Sequence, residues 1–212
     1  MKKLIPLLPT LLLSGCLVTV APGTETNPSP SSSATTRPPI ATPITTPSGS
    51  LAEASIQVGV VASDAAVLPL ERNMARLPGV VVATSSDYPS WPKPRLTDGK
   101  LETSWFTASG DAANLGKTPF IDMTFPQPVK VTSINLRGNR EYKDGYDILE
   151  GRLTVNSTNG KRSFDIVLPQ PDRDFSLRFA FPVSGVTAIR FDITKDESAD
   201  PGLAELEVEG NL

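Results

Sequence analysis

Apolar residues recur at every second position in short runs across the C-terminal two thirds of this chain, and that period decides what it can fold into. Phe175, Leu177, Phe179 and Phe181 are separated by Ser176, Arg178 and Ala180, and Ile189, Phe191 and Ile193 repeat the pattern. Ile121, Met123 and Phe125 alternate with Asp122 and Thr124. Successive side chains of an extended strand point to opposite faces, so each run is a half-buried strand, whereas a helix needs apolar residues three and four apart. Val129-Lys130-Val131 and Ile134-Asn135-Leu136 keep the alternation but change phase at Thr132-Ser133, which predicts a bulge. The β-branched run Gly79-Val80-Val81-Val82-Ala83, Leu153 with Val155, Phe164 with Ile166 and Leu168, and Leu206 with Val208 complete about eight strands. Turns rich in Pro, Gly and Asn separate them, and no long helix is evident. The class is all-β, a sandwich or jelly roll. A domain of ~140 residues buries roughly 68–70% of its unfolded surface, enough to stand without disulfides.

The N-terminus reads differently. Met1-Lys2-Lys3 precedes a short apolar run from Leu4 to Leu13 that contains Pro6 and Pro9. A helix needs about 20 residues to cross a ~30 Å hydrocarbon core, so this run is too short to span and fits a secretory signal. Residues 21–50 hold twenty Ser, Thr or Pro in thirty positions, with only Glu25 and Arg37 charged. Such a segment cannot bury enough apolar surface to offset the entropy of ordering, and it is expected to be a disordered stalk. Residues 56–67 are apolar and rich in small side chains without a clear period, which leaves a lead-in strand or a packed extension open. The expected organisation is a signal segment over residues 1–15, a linker over 16–50, a lead-in over 51–71 and one domain over 72–212.

Composition excludes several chemistries. The chain has no histidine, which removes Ser-His-Asp and Cys-His catalysis, imidazole bases and His-containing metal sites. A single cysteine, Cys16, removes intrachain disulfides, zinc fingers and iron–sulfur clusters. The formal charge of −3 becomes −5 when Lys2 and Lys3 leave with the signal segment, which speaks against a nucleic-acid-binding face. Carboxylates cluster at Asp144, Asp147 and Glu150 and again at Asp196, Glu197 and Asp200, in hydrophilic turns where charge runs are usually solvated. No Gly-rich phosphate loop follows a strand. An enzyme is not expected.

Two resemblances sharpen this picture. Leu13-Ser14-Gly15-Cys16 resembles the lipobox of bacterial lipoproteins, in which the cysteine carries the lipid (palmitate among the acyl chains) and becomes the mature N-terminus. Two or more acyl chains anchor a protein stably where one does not. The resemblance implies a chain tethered to the bacterial cell envelope rather than spanning a membrane. Leu17 rather than Asp after the cysteine implies the outer membrane in a Gram-negative cell, and a Gram-positive host would place the chain on the outer face of the cytoplasmic membrane. Ser85-Ser86-Asp87-Tyr88-Pro89-Ser90-Trp91 leads into Arg95-Leu96-Thr97-Asp98-Gly99-Lys100-Leu101-Glu102-Thr103-Ser104-Trp105. Leu136-Arg137-Gly138-Asn139-Arg140 and Pro201-Gly202-Leu203-Ala204-Glu205-Leu206-Glu207-Val208 follow. In order and spacing these stretches resemble the discoidin, or coagulation factor 5/8 type C, domain, which shares its galactose-binding-like fold with family 32 carbohydrate-binding modules. The resemblance implies an eight-stranded antiparallel jelly-roll β-sandwich, ligand loops at one end, and binding without catalysis. It does not fix the ligand, because one fold hosts many sites.

The same resemblance implies a structural Ca²⁺ held by side chains of Asp98, Thr103 and Glu205 with the backbone of Arg95 and Ala204. Such a set of oxygens suits a hard cation that takes about 6–8 of them. Glu205 is expected to point away from the face that buries Leu206 and Val208. Lys100 stands where the family usually offers Asp or Asn, so a metal-free loop, with Asp98 capping a turn and Glu205 paired to Lys100 or Arg95, stays open. Tyr88 and Trp91 lie in a proline-stiffened loop that loses little entropy on binding, and an aromatic face suits the C–H face of a sugar. Trp91 packing back over the barrel end is the alternative. Trp105 matches a core tryptophan. Arg137, Arg140 and Tyr142 complete the candidate ligand-binding residues, Arg140 by its likeness to a sugar-contacting arginine, with a salt bridge to Glu141, Asp144 or Asp147 as the alternative. The expected partner is a glycan or glycoconjugate, or else an envelope protein docking on the same loops. Direct membrane contact by these loops is disfavoured by the negative charge.

Overall fold

The structure, a computed structural model, describes residue 51 and residues 54–142 and 145–212. The expected signal segment, Cys16, the expected stalk and Asp144 lie outside the described residues. Among the described residues eight strands form the fold: β1 (Ile56–Val60), β2 (Val81–Thr84), β3 (Trp105–Phe106), β4 (Phe120–Gly138), β5 (Ile148–Ser157), β6 (Gly160–Val167), β7 (Asp174–Asp196) and β8 (Gly202–Asn211). Every pairing is antiparallel. Short 3₁₀ turns lie at Met74–Arg76, Lys93–Thr97 and Ala113–Leu115.

Two long strands make the sandwich. Residues 120–124 of β4 pair with residues 188–192 of β7 and with β2, and β5 and β6 extend that layer beyond β7. Residues 133–137 of β4 pair with residues 174–178 of β7, and β1, β8 and β3 complete the second layer. Register shifts between Thr124 and Ser133 let both strands pass from one layer to the other, as bulged corner strands do. The shift between Val131 and Ser133 falls where the phase change predicted it. The sequence reading counted the two halves of β4 and of β7 as separate strands. They are continuous because Pro126, Gln127 and Pro128 sit at the exposed bend rather than in a turn that ends the strand. The undecided lead-in supplies β1, which pairs Ile56 with Phe179 and Val60 with Phe175 at the edge of the second layer.

The predicted inward faces build the core. Ile121, Met123, Ile134, Leu136, Leu177, Phe191, Ile193, Leu206 and Val208 are all buried, and Trp105 is fully buried among them. The outward face of the second layer departs from simple alternation. Ser133, Asn135 and Arg137 on β4 face Glu209, Glu207 and Glu205 on β8, and nearly all of them are buried. Residues 61–75 cross over this face and satisfy it. Ala65 accepts a hydrogen bond from Arg137 at 2.7 Å, the Leu68 N–H donates to Glu207, and Arg72 pairs with Glu209. Asn135 donates to Glu207 at 3.0 Å and Ser133 to Glu209 at 2.9 Å. Buried charge is tolerated only when paired and hydrogen-bonded, and this covering segment supplies several of the partners.

Candidate functional site

The loop between β2 and β3 is pinned to the core from below. Asp87 accepts hydrogen bonds from the Trp105 indole at 2.9 Å and the Thr84 hydroxyl at 2.6 Å, and Lys93 lies 3.5 Å away. Partial burial alone would raise the Asp87 carboxyl. The two hydrogen bonds and the lysine outweigh it, and the group titrates below its ordinary value. Above this anchor the backbone of Tyr88 donates to Phe106 and Phe106 donates to Trp91, so the loop pairs with β3 and flanks it with two aromatic side chains.

Three chain segments deliver five rings to one place. Trp91 lies 5.2 Å from Tyr88, 5.9 Å from Phe106 and 6.0 Å from Tyr142, centroid to centroid. Tyr146 lies 5.4 Å from Phe106 and 5.0 Å from Tyr142. Most pairs are edge-to-face, the arrangement that ring quadrupoles favour. Tyr146 reaches its position with a φ of 80°, in the left-handed region, and its carbonyl accepts from the Gly202 N–H at 3.2 Å. Gly202 is required there, since a Cβ would stand 2.3 Å from the Phe106 ring. The rings and Asp200 line a recess of about 130 Å³. The Trp91 indole N–H donates to Glu141, which Arg95 also holds at 3.1 Å, so the ring is fixed by its edge. Asp200 makes no side-chain hydrogen bond or ion pair among the described residues, and burial pushes its carboxyl up. Tyr142 is also pushed up, by desolvation and by Glu141, Tyr146 and Asp200, and stays a neutral phenol. The recess therefore offers apolar ring faces beside a hydroxyl and an open carboxylate.

Of the residues expected to bind ligand, Tyr88, Trp91 and Tyr142 come together here. Arg137 does not. It is 1% exposed, 3.5 Å from Asp174 and 3.8 Å from Glu207, so it neutralises buried carboxylates and is not offered to a ligand. Arg140 is half-buried and turned from the recess, paired with Asp174 at 2.5 Å rather than with Glu141 or Asp147, and bonded to the Gly138 carbonyl at 2.7 Å. Phe106, Tyr146 and Asp200 were missed. Phe106 drew no reading beside the core tryptophan, while Tyr146 and Asp200 sat in runs that read as solvated turns. Those runs are not simply solvated. Asp147 is buried and pairs with Arg173 at 3.0 Å, and Asp196 is buried and accepts from the Ala113 and Asn114 N–H groups at 2.7 and 3.1 Å.

The expected metal loop also assembles. Asp98 accepts from the Lys100 N–H and the Thr103 hydroxyl, each at 2.9 Å. Glu205 is fully buried and points into the loop, where Oε1 accepts from the backbone N–H groups of Gly99 and Lys100. Its other oxygen, Oε2, has no partner. Burial and the neighbouring Asp98 push its carboxyl up to about 8, against the hydrogen bond from Gly99 and the charge of Arg76. Two carboxylates, one of them with an orphaned buried oxygen, and a hydroxyl are a donor set that a hard cation fits. Neither Lys100 nor Arg95 pairs with Glu205 by its side chain, since Arg95 is held by Glu141 and the Ser104 carbonyl.

No family model and no curated protein matches the chain. Solved structures do. The family 32 carbohydrate-binding module of Clostridium perfringens NanJ, solved with galactose, superposes with a TM-score of 0.53 at 17% identity, over 61% of this chain and 92% of its own. The F5/8 type C domain of a Bacteroides fragilis protein gives 0.50 at 20% identity, over 63% and 93%. A fucose-binding module of Streptococcus pneumoniae gives 0.52 at 12% identity, over 66% and 98%. The fold is galactose-binding-like. At these identities the likeness extends to the fold and carries no site residue with it.

Proposed function

We propose that this chain is a non-catalytic carbohydrate-binding protein of the bacterial cell envelope, tethered by lipid on Cys16 and reading glycans with the aromatic recess. The observation that carries the proposal is the recess itself. Tyr88, Trp91, Tyr142 and Tyr146 present rigid ring faces at the loop end of a galactose-binding-like sandwich, with the Asp200 carboxylate free to accept sugar hydroxyls. Stacking on C–H faces together with a few directed polar groups is what an uncharged, hydroxylated ligand requires. Two of the structural neighbours named above are a module solved with galactose and one described as fucose-binding, which supports the reading. Asp200 is the one carboxylate lining the recess among the described residues, which suits binding rather than the paired carboxylates of glycoside hydrolysis.

Asp98, Thr103 and Glu205, with backbone oxygens of Arg95 and Ala204, would hold calcium. Bound there, the ion would neutralise Glu205 and tie the loop that precedes β3 to β8. The stalk would hold the domain away from the lipid, on the outer membrane of a Gram-negative cell or the outer face of the cytoplasmic membrane otherwise. Metabolic labelling with palmitate, lost in Cys16→Ser, tests the anchor.

A glycan-array screen of the purified full chain, with Trp91→Ala alongside, tests recognition. Selective signal that the variant loses is the expected result. A blank array from folded protein refutes the carbohydrate reading and turns attention to an envelope protein docking on the same rings.

A further inference from the structure

A second cavity adjoins the recess. It is an open cleft of about 490 Å³ between the chain leaving β1 (residues 60–63), the turn after β4 (residues 139–142) and the approach to β7 (residues 171–174). Tyr142, 37% exposed, lines both spaces and forms the wall between them. We propose that the ligand site continues past Tyr142 into this cleft, so that the protein binds an oligosaccharide across two subsites rather than a single terminal sugar. The inference rests on the carbohydrate reading above and deepens it.

Size is the first reason. Pockets that enclose a small-molecule ligand span roughly 300–1,000 Å³, a range that the cleft meets and the aromatic recess, at about 130 Å³, does not. The recess alone is a platform for one ring. Chemistry is the second. The charges around the cleft largely cancel within the protein, since Arg140 pairs with Asp174 and Arg173 with Asp147. Two polar groups are left over. Asn139 is 1% exposed, and its Oδ1 accepts from the Tyr142 N–H at 3.0 Å while its Nδ2 has no partner. Asp172 is exposed at the lip, with no hydrogen bond or ion pair among the described residues. An unsatisfied amide donor and an open carboxylate acceptor are jointly matched by hydroxyl groups, which accept and donate. An anionic ligand would meet Asp172, and an apolar one would leave the Asn139 amide unsatisfied. Placement is the third reason. One wall is the continuation of β1, so the lead-in segment contributes to the site as well as to the sheet.

Isothermal titration calorimetry of the full chain decides the matter. The probes are galactose, N-acetylgalactosamine and fucose, with di- to tetrasaccharides ending in each. The expected result is at least tenfold tighter binding of an oligosaccharide than of its terminal sugar. Ala62→Trp, which fills the cleft from an exposed position, and Asp172→Ala should each remove that gain and leave monosaccharide affinity unchanged, the monosaccharide serving as the folding control. Should Ala62→Trp lose the monosaccharide as well, Asp172→Ala decides by the same comparison. Equal affinity of wild type for monosaccharide and oligosaccharide, or full oligosaccharide affinity in the variants, overturns the second subsite while leaving carbohydrate recognition intact. Absence of binding to every probe by folded wild type overturns both readings.

Discussion

Trp105 joins the core to the ligand loop, and replacing it separates the two contributions. The side chain is fully buried and donates its indole N–H to Asp87, the residue before Tyr88. An aromatic side chain buries ~150–250 Å², which at ~25 cal/mol per Å² is about 4–6 kcal/mol for the whole group. Trp105→Ala keeps the Cβ and should cost ~3–5 kcal/mol, the range for large aromatic truncations. Trp105→Phe keeps most of the ring and removes the hydrogen bond. Bonds to charged groups contribute ~1.5–3 kcal/mol, and the Asp87 side chain is 27% exposed, which puts this one near the bottom of that range. With about 1 kcal/mol for the smaller ring, the total is ~2–3 kcal/mol. In a domain of this size each kcal/mol lowers Tm by roughly 2–4 °C, so the expected drops are about 4–12 °C for Trp105→Phe and about 6–20 °C for Trp105→Ala. Thermal denaturation followed by circular dichroism measures the drops, and urea denaturation the free energies. The sign with pH is fixed by Asp87. Its carboxyl lies below its ordinary value of 3.8 in the folded state, so it contributes stability above that pH and loses it as pH falls through the folded value. The deficit of Trp105→Phe should therefore shrink in acid. A Phe variant within about 0.5 kcal/mol of wild type at neutral pH, or a deficit unchanged in acid, refutes the anchoring role of the indole N–H.

The remaining predictions concern buried charge. In chelator, Glu205 holds its proton up to about pH 8 when folded but only to 4.5 when unfolded, so stability should fall as pH rises between those values, at up to about 1.4 kcal/mol per unit. Glu205→Gln should flatten that slope, and a flat wild-type profile contradicts the burial argument. Calcium should raise the wild-type Tm over chelator, by ~2.7 kcal/mol of stabilisation at a hundredfold excess over Kd, and should leave Asp98→Ala unmoved. A wild-type Tm indifferent to chelator ends the metal reading. Arg137→Ala leaves the buried Glu207 without an ion pair and Asp174 with Arg140 alone, and should cost ~3 kcal/mol, the low end for a broken buried pair. Glycan affinity of the folded fraction should be unchanged, and a selective loss of affinity would return Arg137 to the binding site.

Much of the fold was legible because the period-two pattern is a local property. Most apolar positions announced the inward face, Phe181 at the exposed bend of β7 being an exception, and the phase change at Thr132-Ser133 marked a real register shift between Val131 and Ser133. The pattern could not say that two runs separated by Pro126, Gln127 and Pro128 belong to one strand that changes layers, because it carries no information about pairing. The candidate site was half legible for a related reason. Tyr88 and Trp91 stood out as aromatics in a polar loop, and Asp98, Thr103 and Glu205 as oxygen donors at the spacing of a known motif. Phe106, Tyr146 and Asp200 gave no such signal, since each looks like its sequence neighbours until the chain closes.

By itself, then, the sequence determined the strand character, the inward faces and the chemistries ruled out by the absence of histidine and the single cysteine. The tertiary structure decided which outward polar residues are covered and which rings meet. Glu207 is satisfied from Leu68, 139 positions away, and Trp91 packs against Tyr142, 51 positions along the chain. Side-chain alternation is set by backbone geometry one residue at a time, whereas these encounters depend on how the layers stack and where the connecting segments run.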